Sequence, residues 1–218
     1  MILKIIEDIV KTHKIIGVFI SGGIDSTLLA YLLQDTKRKL NVDVEIKYFC
    51  VKRPDDSELH AKRIVNYIDK TFGLKDSDII FVGTGDGHHS SQVKSGVIEA
   101  IQKYEFDLAL TAITKNPESL DPPELLPNYE YDRFIDADGS FYNGPKRIKA
   151  NHKRILDVFW DYSKADTVKL IKDLNLLDIP NITHTCTASK TTRCGICWQC
   201  CERAWAFYKN DLIDTGIM

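Results

Sequence analysis

The string Ser21-Gly22-Gly23-Ile24-Asp25-Ser26-Thr27 constrains this chain more than any other feature, because of what stands on either side of it. Before it runs Ile15-Ile16-Gly17-Val18-Phe19-Ile20, with no polar alternation, the pattern of a strand buried on both faces in a parallel sheet. After it, residues 24–33 follow a helical period. Strand, glycine turn and helix in that order make a phosphate cradle. Gly22 and Gly23 carry no Cβ, so the backbone there can take positive φ and approach an anion closely. The helix beginning near Ile24 adds N–H donors and the positive end of its dipole. Ser21, Ser26 and Thr27 place hydroxyls around the same concavity, and Asp25 orients the loop or helps hold a Mg²⁺ that accompanies the phosphates. A Gly-Gly pair alone marks only a tight turn; the full string after a buried strand is far more specific. It lacks the Gly-Lys-Ser/Thr ending of a Walker loop, so a different phosphate chemistry is indicated.

The alternation continues along the 218 residues. Residues 2–12 form an amphipathic helix with Ile2, Ile5, Ile6, Ile9 and Val10 on one side. Strands are expected at 42–51, 78–82 and 107–112, and helices at 57–72 and 92–104, the former burying Leu59, Ile64, Tyr67 and Ile68. Such βαβ units imply a parallel sheet covered on both faces. Residues 114–150 interrupt the pattern with five of the seven prolines and with Tyr129, Tyr131, Phe134, Phe141 and Tyr142, which argue for a substrate-binding flap over simple disorder. Order resumes at 155–160, a helix follows at 164–174, and a short one closes the chain at 202–208. The expected organisation is an α/β nucleotide-binding domain over residues 1–180 and a cysteine-bearing segment over 181–218.

Charge limits the partners. With 29 Lys and Arg against 31 Asp and Glu, the net charge is -2, so no global positive field draws nucleic acid or membrane. The N-terminal residues carry acids early and lack the pattern of a secretory signal, and no stretch reaches the roughly 20 apolar residues of a membrane span. The expected setting is the cytoplasm.

Six cysteines are present, and five of them, Cys186, Cys194, Cys197, Cys200 and Cys201, fall within sixteen residues. Under reducing conditions that clustering reads as a metal site and not as disulfides. Cys186-x₇-Cys194-x₂-Cys197-x₂-Cys200 supplies four soft thiolates to a tetrahedral Zn²⁺, and Gly195 provides the backbone freedom of a metal knuckle. Cys201 is surplus, since adjacent cysteines rarely bind one ion. Cys50, at the end of a strand, reads as packing ahead of a nucleotide contact.

The string Ser-Gly-Gly-Ile-Asp-Ser resembles the signature of the PP-loop ATP pyrophosphatases. The resemblance implies an adenine nucleotide α-hydrolase-like sandwich that cleaves ATP between its α and β phosphates, the loop cradling the departing pyrophosphate. The C-terminal Cys194-Gly195-Ile196-Cys197-Trp198-Gln199-Cys200-x₂-Arg203, with Ser163-Lys164-Ala165-Asp166 before it, resembles the zinc segment of the 7-cyano-7-deazaguanine synthases, which make a precursor of queuosine. What this second resemblance implies is an ATP-dependent carbon–nitrogen ligase using Mg²⁺ and Zn²⁺. It would adenylate a deazapurine-like carboxylate, take ammonia, and form a homodimer. The middle departs from that pattern: Tyr48-Phe49-Cys50-Val51-Lys52-Arg53-Pro54 and Asn116-Pro117-Glu118 stand where the synthases shape their substrate pocket. A tRNA-thiolating enzyme with an iron–sulfur cluster, or a nucleotide-binding regulatory paralogue, are the alternatives.

Weaker candidates surround these motifs. Lys115 reads either as a charge neutralising phosphate or as a solvated loop lysine, and stands with Ser21, Asp25 and Ser26 as a catalytic candidate. Thr111 and Thr114, on the same sheet edge, read as packing or capping ahead of a ligand contact, and Lys52 and Arg53 as solvated charges ahead of contacts with phosphate or substrate. Arg203 fits the family pattern or pairs structurally near the thiolates. His88-His89 reads as a surface turn ahead of a metal pair, and Trp160, Trp198 and Trp205 as packing residues, with stacking on a base the alternative for Trp198 inside the knuckle.

Overall fold

The computed structural model describes residues 1–85, 89–117, 147 and 149–216. The chain divides into two compact units, Met1–Ala112 with Ala150–Val158, and Ile113–Lys149 with Phe159–Met218. The boundary expected near residue 180 falls inside the second.

The first unit opens with α1 (Ile2–Thr12), followed by β1 (Ile15–Phe19), α2 (Ile24–Leu40), β2 (Glu45–Val51), α3 (Ser57–Phe72), β3 (Ile79–Val82), α4 (His89–Lys103) and β4 (Leu108–Thr111), and closes with β5 (Ile155–Asp157). These strands form one parallel sheet in the order β3-β2-β1-β4-β5. The α/β parallel sheet expected from the alternation is therefore present. The chain moves from β1 to β2 and β3 on one side, then returns to place β4 on the other side of β1. That reversal puts the turn after β1 at a topological switch point, where open sheets of this kind bind ligands.

Side chains explain the registration. The Asp107 carboxylate accepts from the N–H groups of Lys14 at 2.7 Å and Ile15 at 3.0 Å, pinning the start of β1 beside the start of β4. Those two backbone donors hold its pKa below the ordinary aspartate value. Arg154, just before β5, donates to the carbonyls of Ile101, Tyr104 and Phe106 at 3.1–3.2 Å, closing the C-terminal end of α4. Gly17, mid-strand in β1, leaves room for the Phe49 ring: an added Cβ would meet Phe49 at 2.9 Å. Phe49 then sits among Phe19, Tyr104 and Phe106, with ring centroids 5.4–5.6 Å away, at the heart of a core that includes Val51, Val82, Ala109 and Ile155.

Some expected boundaries shift. α2 runs to Leu40 where the helical period was followed only to residue 33, and it stops at Asn41 in the left-handed conformation. β2 begins at Glu45 rather than at 42. On α3 the buried stripe is His60, Ala61, Ile64, Val65 and Ile68, while Leu59 is 52% exposed and Tyr67 half-buried. On α1, Ile5 lies at the solvent edge while Ile2, Ile6, Ile9 and Val10 are buried. In both helices a pattern of apolar residues was wider than the stripe the sheet covers. Among the described residues no helix is long and apolar enough to cross a membrane.

The second unit contains α5 (Lys164–Asp173), α6 (Ile179–Ile182) and α7 (Trp198–Tyr208), with α5 packed on α7. Ser163 and Asp166 form a reciprocal capping box that starts α5. α7 begins at Trp198, four residues before the helix expected at 202, so Cys200 and Cys201 are helical. Trp198 and Trp205 are buried, as packing residues should be, and Trp160 is half-buried.

Replacing Phe49 by Ala removes the shared ring of the first unit's core. Urea unfolding should register a loss of about 3–5 kcal/mol, the usual range for a buried Phe→Ala change.

Candidate functional site

The turn after β1 is shaped by its own hydroxyls. Ser21 N–H donates to Ser26 Oγ at 3.2 Å, the Ser21 and Ser26 hydroxyls lie 3.1 Å apart, and Gly23 N–H donates to Ser21 Oγ at 3.4 Å. Ser26 Oγ and Thr27 Oγ1 both donate to the Gly23 carbonyl, at 3.1 and 2.8 Å. Three side chains therefore close the turn back on the first turn of α2. Ser26, Thr27 and Ile24 are buried, whereas Ser21, Gly23 and Asp25 retain partial exposure. Gly23 is the N-cap of α2 and has no side chain to bond the helix's first N–H groups. A helix start of that kind offers its donors and dipole to an anion. Asp25 lies in the first turn, where a carboxylate favours the helix dipole and a cation would be needed beside bound phosphates.

Gly22 has φ of +82°, a left-handed conformation, and a Cβ built there would stand 2.2 Å from His60 Cβ and 3.2 Å from the His60 backbone. His60, on the first turn of α3, is 3% exposed and forms the wall behind the loop. Sequence reading missed His60, because nothing in its spacing says which residue of α3 touches the loop. The wall is itself anchored: Ser57 Oγ donates to the Val51 carbonyl at 2.8 Å, binding the start of α3 to the end of β2.

Other predicted residues fall as follows. Cys50 is fully buried and burial pushes its thiol up to about 11, which supports packing. Arg53 is not the solvated charge expected: its side chain is 14% exposed and pairs with Asp55 at 3.0 Å. Lys52 is half-buried. Thr111 donates to the buried Asp157, whose other oxygen accepts from Ala150 N–H at 2.6 Å, tying β4 to β5. Lys115 is exposed and belongs to the second unit, where its backbone bridges Ser163. Thr114 is buried there and accepts from Arg147 at 2.7 Å. His89 opens α4, whereas His88 and most of the expected flap, residues 118–146, lie outside the described residues.

In the second unit, the Sγ atoms of Cys186, Cys194, Cys197 and Cys200 all lie within 4.8 Å of one another. Among the described residues this is the one such group of His, Cys, Asp or Glu side chains. Two of the separations, Cys194 to Cys200 at 4.0 Å and Cys186 to Cys197 at 3.9 Å, are close to the edge of a tetrahedron of thiolates around one ion. Metal–sulfur bonds of about 2.3 Å give an edge of roughly 3.8 Å. The backbone completes the knuckle: Cys197 N–H points to Cys194 Sγ at 3.3 Å, Cys194 N–H to Cys186 Sγ at 3.5 Å, and Gly195 takes φ of +74°. Protons are shared unevenly in the cluster. A hydrogen bond from Cys200 pulls Cys197 down to about 4, the same contact together with burial pushes Cys200 up, and burial raises Cys194. A divalent cation relieves that conflict by letting all four sulfurs be thiolates. The donors present fit a tetrahedral metal ion. Cys201 is outside the group and fully buried, its sulfur 4.0 Å from the Gly195 carbonyl.

Arg203, 0% exposed, has a structural part. Its guanidinium grips the Asp214 carboxylate with two bonds of 2.9 Å and donates to Pro180, Thr183 and Thr185 at 3.0–3.2 Å. It thereby joins α6, the segment leading to Cys186 and the chain after α7.

Comparison with known proteins now separates the two halves. Residues 131–211 match the family model described as "Queuosine biosynthesis protein QueC", and residues 4–72 match that of asparagine synthase. A search of curated protein sequences gives no match. Among solved structures, a U34-tRNA thiolase NcsA from Methanococcus maripaludis with its 4Fe-4S cluster is 12% identical, with a TM-score of 0.49 over 96% of this chain and 71% of that one. An NAD+ synthetase from Burkholderia pseudomallei is 14% identical, with a TM-score of 0.38 over 79% of this chain and 64% of that one. The two matches lie on different parts of the chain, each over about a third of its length, and the parallel five-stranded sheet is like that of the PP-loop adenine nucleotide α-hydrolases.

Two outcomes follow from this geometry. Gly22→Ala must displace the loop from His60, so calorimetry should show ATP binding weakened by at least tenfold, about 1.4 kcal/mol, while circular dichroism shows the fold retained. Elemental analysis should find one metal ion per chain, lost on Cys197→Ser and kept on Cys201→Ser.

Proposed function

We propose that this chain is an ATP-dependent carbon–nitrogen ligase of the 7-cyano-7-deazaguanine synthase type, acting on 7-carboxy-7-deazaguanine or a closely related carboxylate. The observation that carries the reading is the presence in one chain of a PP-loop and a four-cysteine knuckle that lies within the segment matched by the queuosine-biosynthesis model.

In this reading, a carboxylate oxygen of the acceptor attacks the α-phosphorus of ATP, and the bond from that phosphorus to the α–β bridging oxygen breaks. Pyrophosphate leaves with the bonding electrons. Its charge develops against the N–H groups at Gly22, Gly23 and the start of α2, and against the Ser21 and Ser26 hydroxyls, a preorganised electrostatic stabilisation. Ile24 and Thr27 keep the cradle in shape from its buried side. Asp25 is the residue assigned to hold Mg²⁺, which offsets phosphate charge when bound. Lys115 is assigned to neutralise negative charge on the reacting groups. Ammonia then attacks the acyl carbon, AMP departs, and an amide results; a second ATP then adenylates the amide oxygen with release of pyrophosphate, and departure of that oxygen as AMP together with loss of a proton gives the nitrile. No protein nucleophile is required. The four cysteines are assigned a Zn²⁺ ion with a structural part, since a four-thiolate shell leaves no position for substrate.

The test incubates purified protein with ATP, Mg²⁺, ammonium and 7-carboxy-7-deazaguanine, and identifies products by mass spectrometry. AMP, pyrophosphate and a nitrile are expected from a colourless protein that contains zinc. AMP without the nitrile assigns a different carboxylate. A brown, iron-containing protein that acts on tRNA, or a folded, zinc-loaded one that forms no AMP, overturns the proposal.

A further inference from the structure

The peptide joining Thr114 to Lys115 is held at both of its polar groups. Its carbonyl accepts from Arg147 Nη1, and its N–H, that of Lys115, donates to the Tyr162 carbonyl at 2.8 Å. The same Nη1 donates to Thr114 Oγ1 at 2.7 Å. The other terminal nitrogen, Nη2, faces Glu202 and bonds its two oxygens at 2.7 and 2.8 Å. Glu202 is 1% exposed, on α7, and the Lys164 ammonium, also buried, lies 3.9 Å from it. Arg147 is thus clamped on one side by a carboxylate and grips a single backbone peptide with the other. A guanidinium present only to neutralise Glu202 would turn both nitrogens to it; this one splits its fork between a charge and a peptide plane.

Fixing that plane fixes the N–Cα bond from which the Lys115 side chain departs, and Lys115 itself is exposed. We infer that Arg147 is a positioning residue for Lys115, oriented by Glu202. The inference rests on the proposed role of Lys115 in adenylation. It adds two residues that no motif marks, 33 and 55 positions from their partners along the chain.

The test compares Arg147→Gln, Arg147→Lys, Lys115→Gln and the Arg147→Gln/Lys115→Gln double variant in AMP formation, with amide exchange at Lys115 followed separately. If Arg147 acts through Lys115, the single glutamine variants each lower kcat about tenfold with KM for ATP little changed, and the double variant loses no more than Lys115→Gln alone. Lysine at 147 can still donate one bond, so it recovers part of the rate; it also serves as the folded variant if the glutamine does not fold. Exchange of the Lys115 amide should quicken by roughly tenfold in Arg147→Gln, beyond any change in α7 protection and with metal content unchanged. Losses that multiply in the double variant, or a kcat unaffected by Arg147→Gln, overturn the inference. If the wild-type chain forms no AMP, it is the adenylation reading that fails. The exchange measurement then decides the positioning alone: faster Lys115 exchange in Arg147→Gln upholds it, and unchanged exchange overturns it.

Discussion

Backbone at Gly22 presses against the first turn of α3 so closely that a single added carbon would overlap His60, 2.2 Å away. Much of the first unit follows from that approach. Gly22 takes a left-handed conformation there, and Gly23 follows at the head of α2 with no side chain to cap it. α3 stands where it does because Ser57 ties it to the end of β2. β2 in turn carries Phe49 across the gap that Gly17 leaves in β1. The shape of the loop and packing in the core are connected through two glycines on either side of one strand end.

The second unit gathers buried charges around one helix. Three buried or nearly buried guanidinium and ammonium groups, from Arg147, Lys164 and Arg203, meet the carboxylates of Glu202 and Asp214, and Glu202 and Arg203 are neighbours on α7. The same helix begins with the residue after Cys197 and includes Cys200. Breaking one side of a buried ion pair leaves an uncompensated charge and commonly costs about 3–5 kcal/mol. α7 is therefore held by metal-type sulfurs at its first turn and by ion pairs along its buried face. Those polar groups satisfy one another beside the buried rings of Trp198, Trp205 and Phe207 on the same helix.

Much of this was legible in the residues themselves. The seven-residue loop, the alternation of strands and helices and the four-cysteine spacing are all local patterns, and each has the partner elements that its chemistry requires. The errors were local as well. Leu59 and Ile5 belong to apolar patterns on their helices, yet the sheet covers a narrower stripe than periodicity alone implies. Arg53 reads as a surface charge until Asp55, two residues on, is seen folded against it and equally withdrawn from water. α7 starts earlier than the helix expected at 202, because a knuckle that includes Cys200 can end in the first turn of a helix.

By itself the sequence determined the features that depend on near neighbours: a glycine turn between strand and helix, a four-cysteine group, and the strand–helix periods around them. Spacing along a chain sets those directly, since turns and helical faces span only a few residues. Only the tertiary structure decided that His60 backs the loop, that Asp157 joins β4 to β5, and that Arg147 and Glu202 grip the peptide before Lys115. Those contacts join residues tens of positions apart, and no period or motif in one sequence encodes a pair whose only relation is that the folded backbone brings them together.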